Sequence, residues 1–301
     1  MKKLRERWID PQSPDRRPRK AAYALPTLFT AGNVFLGFYA LMESFRGAML
    51  TAGEAEGAAQ HFTAAAIAIA VAHFMDGLDG RIARLTNTVS DFGREMDSLA
   101  DVITFGIAPA VLAFAWGVEF AGTPTSRFSI EELRRAGYFF AFFFLLCGAM
   151  RLARFNVQVN PVPKNPGRPG RKYFVGMPIP AAASVVAAVI FAAGGVPLRS
   201  WIFSTAWLLL LGLLSFLMVS TWRYPSFKDV NLLRPRSPWT FVVTGSVIYL
   251  VWIAPQPVLL ALAVGYMLSG IVIRAGGIVQ KIMHPNREPH VEPPRQEHPV
   301  G

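Results

Sequence analysis

The stretch Gln60-His-Phe-Thr-Ala-Ala-Ala-Ile-Ala-Ile-Ala-Val-Ala-His-Phe-Met-Asp76-Gly-Leu-Asp79-Gly-Arg-Ile-Ala83 is apolar for long enough to cross a bilayer and then ends in two carboxylates. A helix needs about 20 mostly apolar residues to span the hydrocarbon core. From Gln60 to Met75 this segment carries no Asp, Glu, Lys or Arg. Outward from it, comparable windows recur at Pro26 to Phe45, Gly93 to Val118, Gly137 to Val157, Gly176 to Gly194, Trp201 to Trp222, Trp239 to Ile253 and Val258 to Val279. The expected fold is an all-α polytopic integral membrane protein of about eight transmembrane helices. Trp116, Trp201, Trp222 and Trp239 stand near window ends and read as interface anchors.

Composition points the same way. Of 301 residues, 52% are hydrophobic and only 16% charged, a balance unlike that of soluble domains. The formal charge of +11 raises nucleic acid as a partner, but the basic residues lie between apolar runs rather than on an amphipathic surface. Membrane lipids with anionic headgroups are the expected partner, and nucleic acid is not. Cys147 is the single cysteine, so no intramolecular disulfide is available, and its apolar surroundings make it a packing residue. The first residues, rich in Lys, Arg, Pro and Asp, do not look like a cleavable signal.

Orientation follows from Lys and Arg. Lys2, Lys3, Arg5, Arg7, Arg16, Arg17, Arg19 and Lys20 place the N-terminal segment in the cytoplasm by the positive-inside tendency. The connections holding Lys164, Arg168, Arg171 and Lys172, and Arg223, Lys228, Arg234 and Arg236, fall on the same side if the spans alternate. An even helix count puts both termini there, with the cytoplasmic membrane as the location. Residues 1–283 read as one transmembrane catalytic domain with a basic cytoplasmic N-terminal segment. Residues 284–301, rich in Pro, Glu, Arg and His without apolar periodicity, read as a disordered tail, and His284, His290 and His298 fit no usual metal spacing.

The chemistry is concentrated between Asp76 and Asp101. On helices, Asp76 and Asp79 stand three apart and Asp97 and Asp101 four apart, so each pair shares a face. Two adjacent helices would direct these carboxylates into one pocket. Each buried carboxylate costs about 2.5–3.5 kcal/mol near membrane depth, and mutual repulsion adds to that. Hard divalent cations, Mg²⁺ or Mn²⁺, resolve the conflict, because they take oxygen ligands and leave positions for substrate phosphates. Two such ions about 3.5–4 Å apart suit an in-line displacement at phosphorus. Pairing with Arg81, Arg84 and Arg94 is the structural alternative, and it accounts poorly for all four acids. Gly80, Ala83 and Gly93 leave room for a flat base, and Arg84 offers a planar fork to a phosphate. Small residues in membrane helices also serve helix packing, so their meaning comes from the aspartates beside them.

The pattern Asp-x2-Asp-Gly-x2-Ala-Arg-x8-Gly-x3-Asp-x3-Asp, matched from Asp76 to Asp101 at every fixed position, resembles the signature of the CDP-alcohol phosphatidyltransferase family. The resemblance implies that Asp76, Asp79 and Asp97 bind metal, that Asp101 contributes to the second metal and acts as general base, and that Gly80, Ala83, Arg84 and Gly93 surround a CDP moiety. Further segments are similar to the bacterial and archaeal phosphatidylserine synthases within that family. They are Leu25-Pro-Thr-Leu-Phe-Thr-Ala-Gly-Asn33, Asp97 to Pro109, Arg151-Leu-Ala-Arg-Phe-Asn156 and Gly176-Met-Pro-Ile-Pro-Ala181. This narrower likeness implies CDP-diacylglycerol and L-serine as substrates and phosphatidylserine and CMP as products, and the family resemblance implies a homodimer.

Outside the motif, Thr30 and Asn33 lie nearly one turn apart on the first helix, near the nucleotide or in a helix contact. Arg151, Arg154 and Asn156 are candidates for binding the acceptor carboxylate or the lipid-linked phosphate, with snorkelling as the alternative for the arginines. His73, one turn before Asp76, is either a packing contact or a partner of the acid cluster. Two rival functions stay open: the same chemistry on glycerol 3-phosphate, inositol phosphate or choline, and a divalent-cation transporter using the aspartates as a midplane site.

Overall fold

The computed structural model describes residues 17–50, 55–85, 91–122, 130–157, 173–225 and 238–283, with side chains over 28–50, 56–78, 92–122, 130–157, 175–225 and 242–276. The readings given for residues 1–16, for the basic connections at 158–172 and 226–237, and for the tail lie outside these. In chain order the elements are α1 (Arg17–Met49), α2 (Ala55–Leu85), α3 (Asp91–Asp101), a π-helical segment (Val102–Ile107), α4 (Ala108–Gly117) and α5 (Ile130–Val157). There follow β1 (Tyr173–Val175), α6 (Ile179–Ala192), α7 (Trp201–Val219), β2 (Arg223–Pro225), α8 (Pro238–Ile253) and α9 (Pro255–Met283).

Six of these stretches are long and apolar enough to cross a membrane: Leu28–Met49, Glu56–Leu78, Phe92–Gly117, Ile130–Val157, Trp201–Val219 and Pro255–Gly276. Ile179–Ala192 and Val242–Ile253 are shorter apolar helices. Each corresponds to an expected window, and the chain is an all-α polytopic membrane protein. The expected bounds shift where the backbone forbids helix. Gly176 has φ +77°, a conformation L side chains rarely adopt, and Pro178 stands at the N-cap in an extended conformation, so α6 starts at Ile179 rather than Gly176. At its far end Gly195 has φ +71°, and a β-carbon there would collide with the Ala59 carbonyl, which seats this turn on the start of α2.

The structure adds a small ladder that hydropathy did not announce. β1 and β2 pair antiparallel, with Tyr173 opposite Pro225, Phe174 opposite Tyr224 and Val175 opposite Arg223. Trp222, expected inside a helix, precedes β2 instead, and its carbonyl accepts the Gly176 N–H at 2.8 Å.

Packing places α6 at the centre. Its residues Ile179, Val185, Val186 and Ile190 are fully buried, against a core that includes Phe62 and Ile69 of α2 and Leu211 and Leu214 of α7. Helix α1 packs most extensively on α2 and also meets α3, the π segment and α4. Helix α8 packs chiefly on α9 and leaves Val242, Ile248, Tyr249 and Trp252 exposed, as expected for side chains solvated by lipid. Trp116 is corrected from interface anchor to core: it is 2% exposed and meets Trp207 edge to face at 5.0 Å, and the Trp207 indole N–H donates to the Ala113 carbonyl.

Candidate active site

Three of the four aspartates converge. Asp76 near the end of α2, and Asp97 and Asp101 one turn apart on α3, each offer a carboxylate oxygen, and the three oxygens lie within 4.8 Å of one another. Asp76 and Asp97 are half-buried, and Asp101 is only 9% exposed. Acidic side chains repel at such range, most strongly where water is scarce. The donor set is all oxygen and anionic, which fits a hard divalent cation. Asp79 lies three residues beyond Asp76 on the same helix, but its side chain, with those of Gly80, Ala83 and Arg84, lies outside the described residues. Gly93 is exposed on α3.

Helix α3 continues through the π segment without a break, since Asp101 and Ala108 on either side both have right-handed helical dihedrals. The Ala108 N–H reaches back to the Ile103 carbonyl, a bond one residue longer than the α pattern. Pro109 follows at once, and it has no N–H with which to resume a regular ladder. The widened turn brings Thr104 against α1, where its hydroxyl donates to the Asn33 carbonyl at 3.0 Å. A β-carbon on Gly37 would lie 2.5 Å from the Thr104 hydroxyl oxygen, so glycine is what permits this approach.

Thr30 and Asn33 are both buried on this face of α1, Asn33 completely. Neither side-chain polar atom of Asn33 has a hydrogen-bond partner among the described residues. A buried amide in that state costs about 1–3 kcal/mol, and it is suited to a ligand or water that brings both a donor and an acceptor.

The two arginines of α5 have different surroundings. Arg151 is 8% exposed and lies within electrostatic reach of Asp101 and of Tyr266 on α9, while its Nε has no hydrogen-bond partner among the described residues. Arg154, one turn on, donates from Nη1 to the Val219 carbonyl and from Nη2 to the Val175 carbonyl, both at 3.2 Å. It thereby ties α5 to the end of α7 and to β1. The Asn156 amide donates to the Ser98 hydroxyl at 2.9 Å, which fastens α5 to the helix carrying Asp97. His73 Nδ1 lies 3.1 Å from the Ser184 hydroxyl oxygen and its ring meets Phe105 edge-on, so it links α2 to α6 and the π segment.

Tyr266 was not read from the sequence. An aromatic residue inside an apolar run looks like packing or an interface anchor, and its place depends on β2, where the Pro225 carbonyl accepts from its hydroxyl at 3.3 Å. No local spacing signals it.

The chain is 33% identical over 259 residues to a Helicobacter pylori protein named CDP-diacylglycerol--serine O-phosphatidyltransferase, covering 85% of this chain and 92% of that one. A Bacillus subtilis protein of the same name is 30% identical over 206 residues, 68% of this chain and 91% of its own length. An archaetidylserine synthase from Methanothermobacter thermautotrophicus is 33% identical over 165 residues, 54% of this chain and 56% of its own. Residues 23–272 match the family description CDP-alcohol phosphatidyltransferase, a range that takes in the three convergent aspartates, both α5 arginines and Tyr266, and the chain belongs to that family.

Proposed function

We propose that this enzyme transfers the phosphatidyl group of CDP-diacylglycerol to the hydroxyl of L-serine, giving phosphatidylserine and CMP. The observation that carries the reading is the convergence of Asp76, Asp97 and Asp101 within 4.8 Å in a membrane protein of this family. The names of the Helicobacter and Bacillus relatives support serine as the acceptor. Asp76, Asp79, Asp97 and Asp101 would hold two divalent cations, Mg²⁺ or Mn²⁺, which when bound neutralise pyrophosphate charge and acidify a nearby alcohol.

The serine oxygen forms a bond to the phosphorus that carries diacylglycerol, the bond from that phosphorus to CMP breaks, and the hydroxyl proton passes to a carboxylate oxygen of Asp101. Burial of Asp101 keeps water from competing as nucleophile. Thr30 and Asn33, with Gly80, Ala83, Arg84 and Gly93, surround the CDP moiety. Arg151 takes the serine carboxylate, because its buried guanidinium has donor capacity left, whereas Arg154 spends both terminal nitrogens on carbonyl oxygens. Holding both reactants against one rigid set of helices supplies most of the rate by position. The active site and both termini face the cytoplasm, and the protein works as a homodimer in the cytoplasmic membrane.

The test is incubation of purified protein with CDP-diacylglycerol and a panel of serine, ethanolamine, glycerol 3-phosphate, inositol phosphate and choline, with products identified by mass. Phosphatidylserine is the expected product, and a chelator should stop its formation. A different lipid would keep the chemistry and change the acceptor. Absence of any lipid product together with no CDP binding would replace the enzyme by an ion-binding protein.

A further inference from the structure

Helix α3 carries two of the three convergent carboxylates, yet its first two turns have little apolar packing to hold them. Phe92, Gly93, Arg94 and Glu95 are exposed, Met96, Asp97 and Ser98 are half-buried, and burial begins at Ala100. Helix α5 is rooted differently, with Phe144, Cys147, Gly148, Arg151 and Leu152 buried along it. One turn beyond Leu152, the Asn156 amide Nδ2 donates to Ser98 Oγ at 2.9 Å, and Ser98 Oγ in turn donates to the Arg94 carbonyl at 3.0 Å. A hydroxyl has one proton, so with that proton given to Arg94 the Ser98 oxygen is left as an acceptor. The direction of this relay is therefore set, and Asn156 has to supply the donor.

Ser98 follows Asp97 directly and precedes Asp101 by three, so whatever holds Ser98 holds the helix between both acids. A side-chain oxygen stands about 5–6 Å from the helix axis, and a rotation of about 10° moves it by about 1 Å. Metal–ligand distances tolerate only about 0.2 Å. Repulsion among the three carboxylates pushes toward such a rotation whenever no cation is bound. We propose that Asn156 is a positioning residue for the metal site: through Ser98 it fixes the rotation of α3 about its own axis, and with it the carboxylates of Asp97 and Asp101. This moves Asn156 away from the acceptor and the lipid phosphate, where its place beside Arg151 and Arg154 in sequence had put it. The inference rests on the reading of Asp76, Asp97 and Asp101 as a cation site.

The experiment titrates Mn²⁺ alone, without either substrate, into wild type, Asn156→Ala, Ser98→Ala, the double variant and Ser98→Thr in detergent-lipid micelles. Binding is read from the electron paramagnetic resonance signal of the free ion, with a thermal melt of each metal-free protein. Asn156→Ala and Ser98→Ala should each raise the Kd for Mn²⁺ about fivefold, the effect of losing one hydrogen bond. The double variant should be no weaker than either single one, because the two residues act through one interaction. Ser98→Thr keeps the hydroxyl and should stay within about twofold of wild type. The metal-free melts should agree within about 2 °C, since a released α3 lets the carboxylates move apart and offsets the lost bond. With Mn²⁺ saturating, Asn156→Ala should keep its KM for serine and for CDP-diacylglycerol within about twofold of wild type. An unchanged Kd for Mn²⁺ in Asn156→Ala overturns the proposal, and a raised KM for either substrate beside it would return Asn156 to substrate contact. So does a Ser98→Ala that binds like wild type, or losses that add in the double variant. Failure of both single variants to fold assigns the pair to the scaffold and overturns it as well. If wild type itself binds no Mn²⁺, the functional reading fails instead, and that is visible before any variant is made.

Discussion

Replacing Asp97 by Asn removes one negative charge from the carboxylate cluster and keeps the side chain's shape. The three convergent carboxylates repel one another when no cation is bound, so Asp97→Asn should hold or raise the melting temperature of metal-free protein. It should also abolish most of the stabilising shift that Mg²⁺ or Mn²⁺ gives wild type. Activity should fall at least about 100-fold, and a variant that keeps wild-type turnover would remove Asp97 from the chemistry. Glu43 is a buried acid with the opposite character. Its Oε1 accepts from Arg46 at 2.9 Å and its Oε2 lies 2.6 Å from His61 Nδ1, which joins α1 to α2 at the end away from the cluster. Along α2, His61 precedes Asp76 by about 22 Å. Glu43→Ala should therefore cost about 1–3 kcal/mol of stability in denaturant titration and leave turnover per folded molecule unchanged. The convergence of Asp76, Asp97 and Asp101 was legible because Asp97 and Asp101 are spaced by four in sequence and acids are conspicuous in apolar runs. Glu43 was not, because what gives it its meaning is His61 on another helix.

At the scale of elements, the π segment absorbs one residue in a widened turn and brings Thr104 against α1. Its extra residue is removable. Deleting Ile103 would let α3 and α4 fuse as a regular helix that keeps the faces on either side nearly in register but loses the widened turn by which Thr104 meets Asn33, beside the acids. The variant should still accumulate in the membrane and lose at least about 100-fold of activity, as judged by lipid product per unit of inserted protein. Retention of activity would show that the bulge is incidental. Hydropathy read the spans well, since every apolar helix found here matches a window in the sequence. It missed the π segment because widening one turn leaves composition unchanged. It missed the ladder because strands of three residues are too short for an alternating pattern. The shortened α6 was foreshadowed only by Gly176, Pro178 and the paired glycines at 194 and 195, whose backbone demands outweigh an apolar composition.

For the whole molecule, the alternation of basic connections predicts which ends of the helices meet the cytoplasm. In a Cys147→Ala background, Val196→Cys in the turn between α6 and α7 should react with an impermeant thiol reagent added to intact cells, and Asn165→Cys should react only after lysis. Val196 is 54% exposed, so poor labelling there could not be blamed on burial. The reverse pattern would invert the protein. The ladder that joins β1 to β2 also has a meaning in time. Asp76, Asp97 and Asp101 leave the ribosome early, Arg151 follows, and Tyr266 comes last, at synthesis rates of about 5–20 residues per second. For an interval on the order of ten seconds the growing chain holds the acidic cluster without its last helix. Only when α9 arrives can the Tyr224 hydroxyl reach the Met267 carbonyl and the Tyr266 hydroxyl the Pro225 carbonyl, so the clasp between β2 and α9 is among the last contacts the polypeptide can complete.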